Sequence, residues 1–481
     1  MPTSVPRSRY WQHVGVSHHL VRWTGLAGSV MLAVAAFLGG AMPDGDLRPN
    51  PVKIWLGPNG PLIIGLWLFG TAAMAVAWWV LRDRVPSARW ALVTAGLWIL
   101  PFLFTPPLGS RDAYAYACQG ASFSAGISPY EYGVSTLPCP WLDSMSYIWR
   151  DTPAPYGPLF VVLSGAVVAA TGSLLGSIAL FRVFAVAGVV LTAVCLPVLA
   201  RRSGVPVGRA LWLALASPLV GVHLISGVHN DALMIGLMVA GLAVVVSRPG
   251  RPWPLLAGGV VLGMAAGIKV TVLVVVPFAA LAAIAGGFSV RALLRDGTPV
   301  VGGAVATLLG VTFAAGLDFG WITGLSHGND VVAWTSPPTA VGQTVGYLVL
   351  PFGLHIDALP VTRGIAVVVL AALLVWLWFR ARTRDPLWHA ALALTATVAL
   401  APLFHPWYWF WPLALLAATA QRTWWFSVVT VASSFLVLAD GTGLARYTKT
   451  VGAPLMTLLV IVVAVRLVRS ARAARRPVPV E

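Results

Sequence analysis

The sequence has 481 residues, of which 58% are hydrophobic and only 10% are charged, and its mean hydropathy is +0.84. Soluble domains carry about 25% charged residues, so this composition excludes a soluble domain and predicts one all-α polytopic membrane domain over residues 1–481. The net charge of +16 is typical of arginines at cytoplasmic loop ends, which orient membrane helices. No nucleic-acid partner is therefore expected.

Segments of about 20 apolar residues mark membrane spans, and arginines near both ends of the chain place the two termini in the cytoplasm. About fourteen spans are predicted, over residues 24–42, 62–81, 90–107, 173–200, 210–225, 232–246, 255–267, 272–285, 300–315, 365–379 and 387–403, with two short spans around Gln421 and Arg422 and a last one before the cytoplasmic basic tail 466–481.

The segment 156–171 is apolar but short. If it crossed the membrane, Arg201 and Arg202 at the end of the next span would face outward, against the positive-inside rule. We therefore predict a re-entrant or interfacial helix here, on the outer face of the plasma membrane.

Two long polar stretches are predicted to face outward, namely a first loop over 108–177 and a second over 316–360. Most of the fifteen acidic residues fall on this side. Acidic residues contribute little to topology, so their concentration indicates a functional surface. The first loop also holds Cys118 and Cys139, which either pair as a disulfide or remain two small unpaired residues.

Asp112 follows the third predicted span almost directly, within the run SRDAYAY. A carboxylate at the outer mouth of a helix bundle can act as a general base toward a substrate hydroxyl. Pairing with Arg111, or capping of a helix, explains the residue equally well.

His229, Asn230 and Asp231 form a second outer cluster between two spans. Asp231 suits the capping of the next helix, whereas polar groups so near the membrane also indicate a site. One histidine and one aspartate supply only two ligands for a divalent metal, so a metal stays open.

Lys269 stands alone in the apolar run GMAAGIKVTVLVVV. It either extends toward the interface or pairs with a lipid phosphate, which lysine binds as a compact point charge. Arg150 and Arg182 are further candidates for contacting that phosphate.

The run HPWYWFW, over residues 405–411, is dense in aromatic residues. An aromatic belt at the membrane interface accounts for it, and so does a wall on which sugar rings stack. The sequence has no GxxxxGK[ST], HExxH or GxSxG motif, so ATP-driven transport and two hydrolase classes lack support.

Several of these motifs together resemble the actinobacterial polyprenol-phosphomannose-dependent α-1,6-mannosyltransferases. The matching runs are DAYAYACQG from Asp112, GISPY from Gly126, WRDTPAPYGPL from Trp149, VHNDALM from Val228, GIK from Gly267 and FHPWY from Phe404. The resemblance implies a GT-C glycosyltransferase bundle, with an acidic first loop and interfacial helices on the outer face.

The resemblance also implies an inverting mechanism. Asp112 would deprotonate a hydroxyl of a mannan or lipid-anchored mannoside, which attacks C1 of β-mannosyl phosphopolyprenol. Lys269, Arg150 and Arg182 would hold the donor phosphate, with no nucleotide sugar and no certain cofactor. The predicted substrate-binding residues are Arg111, Tyr114, Tyr156, His229, Asn230, Asp231, His405, Trp407 and Tyr408.

Two alternatives remain. One is a GT-C enzyme that uses another lipid-linked sugar, such as arabinofuranose or glucose. The other is a transporter or flippase for a lipid-linked sugar, a class that typically shows internal repeats and polar residues near the membrane midplane. The ionisable residues here lie at the outer ends of spans and no repeat is visible, which favours the enzyme.

Overall fold

The computed structural model describes residues 17–48, 50–137 and 139–473. Within these ranges the chain is helical, and its only strand-like pairing is an isolated bridge between Val437 and Gly443. The N-terminal arginines at positions 7 and 9 lie outside the described residues, as does the second half of the basic tail, residues 474–481.

The first half of the chain forms helices that begin at local sequence signals. Ser87 and Ser173 each accept a backbone N–H of the helix that follows, a common N-cap. The helices are α1 (His18–Gly39), α2 (Pro51–Leu56), α3 (Gly60–Val80), α4 (Ala88–Ile99), α5 (Asp112–Ser124), α6 (Pro158–Thr171), α7 (Leu174–Arg202), α8 (Val207–Leu215), α9 (Asp231–Ser247) and α10 (Pro252–Ile268).

The second half continues with helices α11 to α20. A π-helical turn, Leu293–Gly297, joins two of them, α12 and α13, into one long helix. The series is α11 (Val276–Ala282), α12 (Val290–Ala292), α13 (Thr298–Ala314), α14 (Trp321–Ser326), α15 (Pro337–Val349), α16 (Leu359–Ala381), α17 (Pro386–Leu400), α18 (Phe410–Thr419), α19 (Trp424–Ser434) and α20 (Lys449–Ala473).

Six helices in the described ranges are long and apolar enough to cross a membrane, or seven if α8 and the turn after it form one span. In α16 and α20 most of the apolar surface stays exposed, as contact with lipid requires. The chain is therefore an all-α membrane protein. The predicted number of about fourteen spans is not confirmed, because several predicted spans form short helices of 10–17 residues. The helix α6, which the sequence predicts to be re-entrant or interfacial rather than a span, is another of these short apolar helices.

Four helices pack side by side in the order α7, α9, α10 and α13. Glycines permit the close approach: a Cβ on Gly188 of α7 would lie 2.1 Å from the carbonyl oxygen of Ala232 in α9. Small residues at such crossings let membrane helices pack backbone to backbone. A second row runs from α4 through α8, α18 and α17 to α16.

Two of the central helices are interrupted at comparable points. The chain bends by 61° between α8 and the π-helical turn Val220–Ser226. Val228 then adopts φ of +57°, a left-handed conformation that β-branched residues rarely take and that costs about 1–3 kcal/mol. At the other interruption, Lys269 is extended between α10 and a 3₁₀ turn. Both breaks bring polar residues into the interior.

The first long polar stretch contains a helix, although its polar composition indicates a loop. Residues 112–124 form α5, which packs against α6 and buries most of its side chains, among them Tyr114, Tyr116 and Gln119. Gly120 makes this contact possible, since a Cβ there would lie 2.4 Å from the carbonyl oxygen of Ser164. Cys118 in α5 forms a disulfide with Cys139. Of the two alternatives that the sequence leaves open for these cysteines, the disulfide is the correct one.

Candidate active site

Asp112 is the first residue of α5, and its position is fixed by the turn before the helix. The Ser110 hydroxyl oxygen accepts the Asp112 backbone N–H at 3.1 Å. The Asp112 side chain is 21% exposed, and its Oδ2 lies 3.5 Å from Nε2 of the fully buried His229. A partly exposed carboxylate at a helix start is well placed to meet a ligand.

Asp112 lies where two cavities meet. The larger, about 520 Å³, is lined by Arg111, Asp112, His405 and Trp407 among others. The smaller, about 100 Å³, is lined by Asp112, His405, Lys269, Tyr156 and Tyr408 among others. Ligands in the two cavities would therefore both lie beside Asp112.

Three aromatic rings stack beneath the larger cavity. Trp407 lies between His229, at 4.0 Å between ring centroids, and His405, at 4.4 Å. Burial lowers the pKa of His405 to about 4 and also lowers the pKa of His229, so both imidazoles are neutral near pH 7. The stack gives the cavity a rigid, uncharged wall.

Asp231, the first residue of α9, and Lys269, which follows α10, form a buried ion pair. Lys269 Nζ lies 2.8 and 3.0 Å from the two carboxylate oxygens, and Trp411 Nε1 donates to the same carboxylate. Lys269 also lies over the rings of Tyr408 and Trp411, at 4.8 and 5.2 Å. The lysine predicted to hold a phosphate thus already has a carboxylate partner, yet it still lines the smaller cavity.

Two predicted phosphate ligands are engaged elsewhere. Arg182 is buried and donates to the backbone carbonyls of residues 103, 105, 225 and 226. These bonds tie α7 to the turns before α5 and α9, a structural role that occupies the guanidinium. Arg150 pairs with Asp143 at 3.2 Å, on the surface of the first loop. Neither arginine lines the cavities in the described part of the chain.

Four predicted substrate-binding residues lie behind the cavity wall. Tyr114 is fully buried, and its hydroxyl donates to the carbonyl of Ala41. His229 and Asp231 are also fully buried, as is most of Asn230, whose backbone N–H points to the Tyr116 hydroxyl at 3.5 Å. The HND cluster therefore supports the site from beneath rather than touching a ligand in the cavities.

Several cavity residues are not among the site residues predicted from the sequence. Gln119 and Trp149 line the smaller cavity, and Asp440, Arg446 and Lys449 line the larger one. Burial raises the pKa of Asp440. Asp440, Arg446 and Lys449, which lie before or at the start of α20, could have been recognised as candidate site residues from the sequence, because charges beside a span are uncommon.

No cluster of three or more His, Cys, Asp or Glu side chains suited to a metal occurs among the described residues. The divalent metal that the sequence leaves open therefore has no complete protein ligand set within the described ranges.

Comparison with known proteins places the chain in a family. The family model described as "Alpha-(1->6)-mannopyranosyltransferase, N-terminal domain" matches residues 22–285, and "MptB C-terminal domain" matches residues 338–469. A probable alpha-(1->6)-mannopyranosyltransferase of Mycolicibacterium smegmatis is 34% identical over 88% of this chain and 82% of its own length. An alpha-(1->6)-mannopyranosyltransferase of Mycobacterium tuberculosis is 30% identical over 86% and 81%, and alpha-(1->6)-mannopyranosyltransferase B of Corynebacterium glutamicum 29% over 88% and 77%. No solved structure matches the chain.

The helical membrane fold, the two cavities beside Asp112 and the named relatives define a membrane-embedded glycosyltransferase. The chain belongs to the alpha-(1->6)-mannopyranosyltransferase family. The family predicted from the sequence motifs is confirmed.

Proposed function

We propose that this enzyme transfers mannose from polyprenyl-phosphate-mannose to a mannan or lipid-anchored mannoside, forming α-1,6 linkages in lipomannan or lipoglycan synthesis. The relatives are named as enzymes that form this linkage. The observation that carries the proposal is the position of Asp112 between two cavities. A group-transfer enzyme has to bring two substrates together at one catalytic group, and this geometry provides such a place.

In this proposal the acceptor occupies the larger cavity, whose wall includes His405 and the buried Trp407. Asp112 accepts the proton of the acceptor hydroxyl, whose oxygen attacks C1 of the β-linked mannose. The C1–O bond to phosphate breaks on the opposite face, so the product has the inverted, α configuration. Positioning of the two substrates and a general base are the main sources of rate.

The phosphate of the donor occupies the smaller cavity, beside Lys269. Two of the three N–H groups of this lysine are directed to Asp231, which leaves one for the leaving phosphate. The positive charge of Lys269 is shared with Asp231, so it stabilises the phosphate less than a free lysine would. Arg111, Arg446 and Lys449 add positive charge along the larger cavity.

The catalytic face is proposed to be extracytoplasmic, in the plasma membrane, with both termini cytoplasmic. The Cys118–Cys139 disulfide supports this orientation, because disulfides persist outside the reducing cytosol. The concentration of acidic residues on the same side agrees with it. A donor that is carried by a membrane lipid suits an enzyme that is itself embedded in the membrane.

The test gives the purified enzyme a short α-1,6-mannoside together with one of four radiolabelled donors: mannosyl, glucosyl or arabinofuranosyl phosphopolyprenol, or GDP-mannose. The proposal predicts label transfer only from mannosyl phosphopolyprenol and an α-1,6 linkage in the product. Transfer from another lipid-linked sugar would correct the donor. Movement of the lipid-linked sugar across vesicles without transfer would support a flippase instead.

A further inference from the structure

At the contact between Asp112 and His229, two hydrogen-bond acceptors face each other without a hydrogen between them. A proton placed between them would satisfy both. His229 Nδ1 lies 2.6 Å from the backbone carbonyl oxygen of His223. A carbonyl oxygen only accepts hydrogen bonds, so Nδ1 carries the hydrogen. In a neutral imidazole the other nitrogen, Nε2, then presents its lone pair. That lone pair faces the Asp112 carboxylate at 3.5 Å, and a carboxylate is itself an acceptor.

The surroundings keep His229 in this arrangement. The residue is fully buried, it stacks on Trp407, and it follows the strained backbone of Val228. Nε2 has no hydrogen-bond partner among the described residues. A buried acceptor without a donor is costly, about 1–3 kcal/mol, so its retention at a catalytic group calls for a function.

Among the described charged and titratable groups around His229, Asp112 is the one that faces Nε2, the ring nitrogen without a hydrogen. Asp231 and Lys269 act on His229 electrostatically, but they neutralise each other as an ion pair. His223 lies on the Nδ1 side, and His405 lies beyond Trp407 in the stack. The imidazole is therefore neutral at rest and has one site at which to receive a proton.

We propose that His229 is a proton-relay residue that acts through Asp112. This inference rests on the proposed function, in which Asp112 is the base. The acceptor oxygen forms its bond to C1 while the C1–O bond to phosphate breaks, and the bonding electrons leave with the phosphate. The hydroxyl proton passes to Asp112 and then to Nε2 of His229, giving an imidazolium beside a carboxylate. His229 returns the proton through Asp112 to water in the larger cavity after the product leaves.

The test is a double-mutant cycle with two different replacements of His229. His229→Asn keeps an amide near the position of Nδ1 and removes Nε2. His229→Gln places an amide near Nε2 that can orient Asp112 but cannot hold the proton. We expect both variants to lower kcat about 10- to 100-fold, within the range of general-base effects, with little change in the KM for mannosyl phosphopolyprenol. Residues that act as a unit are not additive, so Asp112→Asn/His229→Asn should be no slower than Asp112→Asn.

The pH profile separates a relay from a packing role. Removing a proton-accepting partner should move the acidic limb of kcat/KM to lower pH in both variants, while the unfolding midpoint in detergent stays close to that of the wild type. Full rescue by His229→Gln, or losses that multiply in the double variant, would overturn the relay. Loss of wild-type activity in EDTA, restored by Mn²⁺ and abolished by His229→Asn, would show instead that the pair binds a cation. If Asp112→Asn is itself active, the proposed base fails and the relay with it.

Discussion

The buried ion pair between Asp231 and Lys269 supports a prediction that separates stability from substrate binding. The pair is 8% exposed on the lysine side and fully buried on the aspartate side. Asp231→Asn leaves the ammonium without a charged partner, and Lys269→Met leaves the carboxylate with only its bond from Trp411. Each single variant should therefore be much less stable than the wild type.

The magnitude follows from the geometry. At a separation of 2.8 Å and an effective dielectric constant of about 20, Coulomb attraction is about 6 kcal/mol, and desolvation of both ions offsets much of it. Breaking a buried pair from one side typically costs about 3–5 kcal/mol, whereas removing both charges together is often close to neutral. The double variant Asp231→Asn/Lys269→Met should therefore be at least as stable as either single variant.

The assay is the unfolding free energy of the purified protein in detergent, combined with the KM for mannosyl phosphopolyprenol. We expect a coupling energy of about 3 kcal/mol between the two sites. A donor KM that stays raised in the refolding-competent double variant would assign Lys269 to the phosphate as well. Costs that add to within about 0.5 kcal/mol would refute the claim that the two residues stabilise the fold as a pair.

Three further outcomes are expected. Thr136→Cys should react with a membrane-impermeant thiol reagent in intact cells, and Arg84→Cys only after lysis; the opposite pattern would reverse the topology. Cys118→Ser/Cys139→Ser should lower the unfolding free energy by about 3 kcal/mol, the loop-entropy value for a separation of 21 residues, and dithiothreitol should then have no further effect. His405, whose folded pKa is about 4 against about 6.5 unfolded, binds its proton more weakly when folded, so stability should fall between pH 6.5 and pH 4. His405→Gln should flatten that dependence, and an unchanged slope would contradict it.

The sequence was informative where chemistry is local and less so where it depends on distant contacts. Asp112 was recognisable because it follows an apolar span directly, and Lys269 because a lone charge in an apolar run is rare. The partner of Lys269 is 38 residues away, and the two residues meet only in the folded chain, where the start of α9 lies beside the end of α10. No local pattern indicates such a meeting.

Contacts between distant segments also explain why some residues have roles other than those predicted from the sequence. Arg182 resembles a phosphate ligand in sequence, but it satisfies backbone carbonyls that the turns leave unpaired. The polar composition of residues 112–124 indicates a loop, yet burial against α6 makes it a helix. The tautomer of His229 depends on one carbonyl contact, which only the folded backbone provides.

The most direct test of the account is the rate of mannose transfer by Asp112→Asn, measured on protein whose unfolding midpoint and donor binding match those of the wild type. The substitution keeps the size of the side chain and removes its ability to accept a proton. We expect the rate to fall by about 10²–10⁴-fold with mannosyl phosphopolyprenol and a short α-1,6-mannoside. Transfer at a near-normal rate would contradict the assignment of Asp112 as the base between the two cavities.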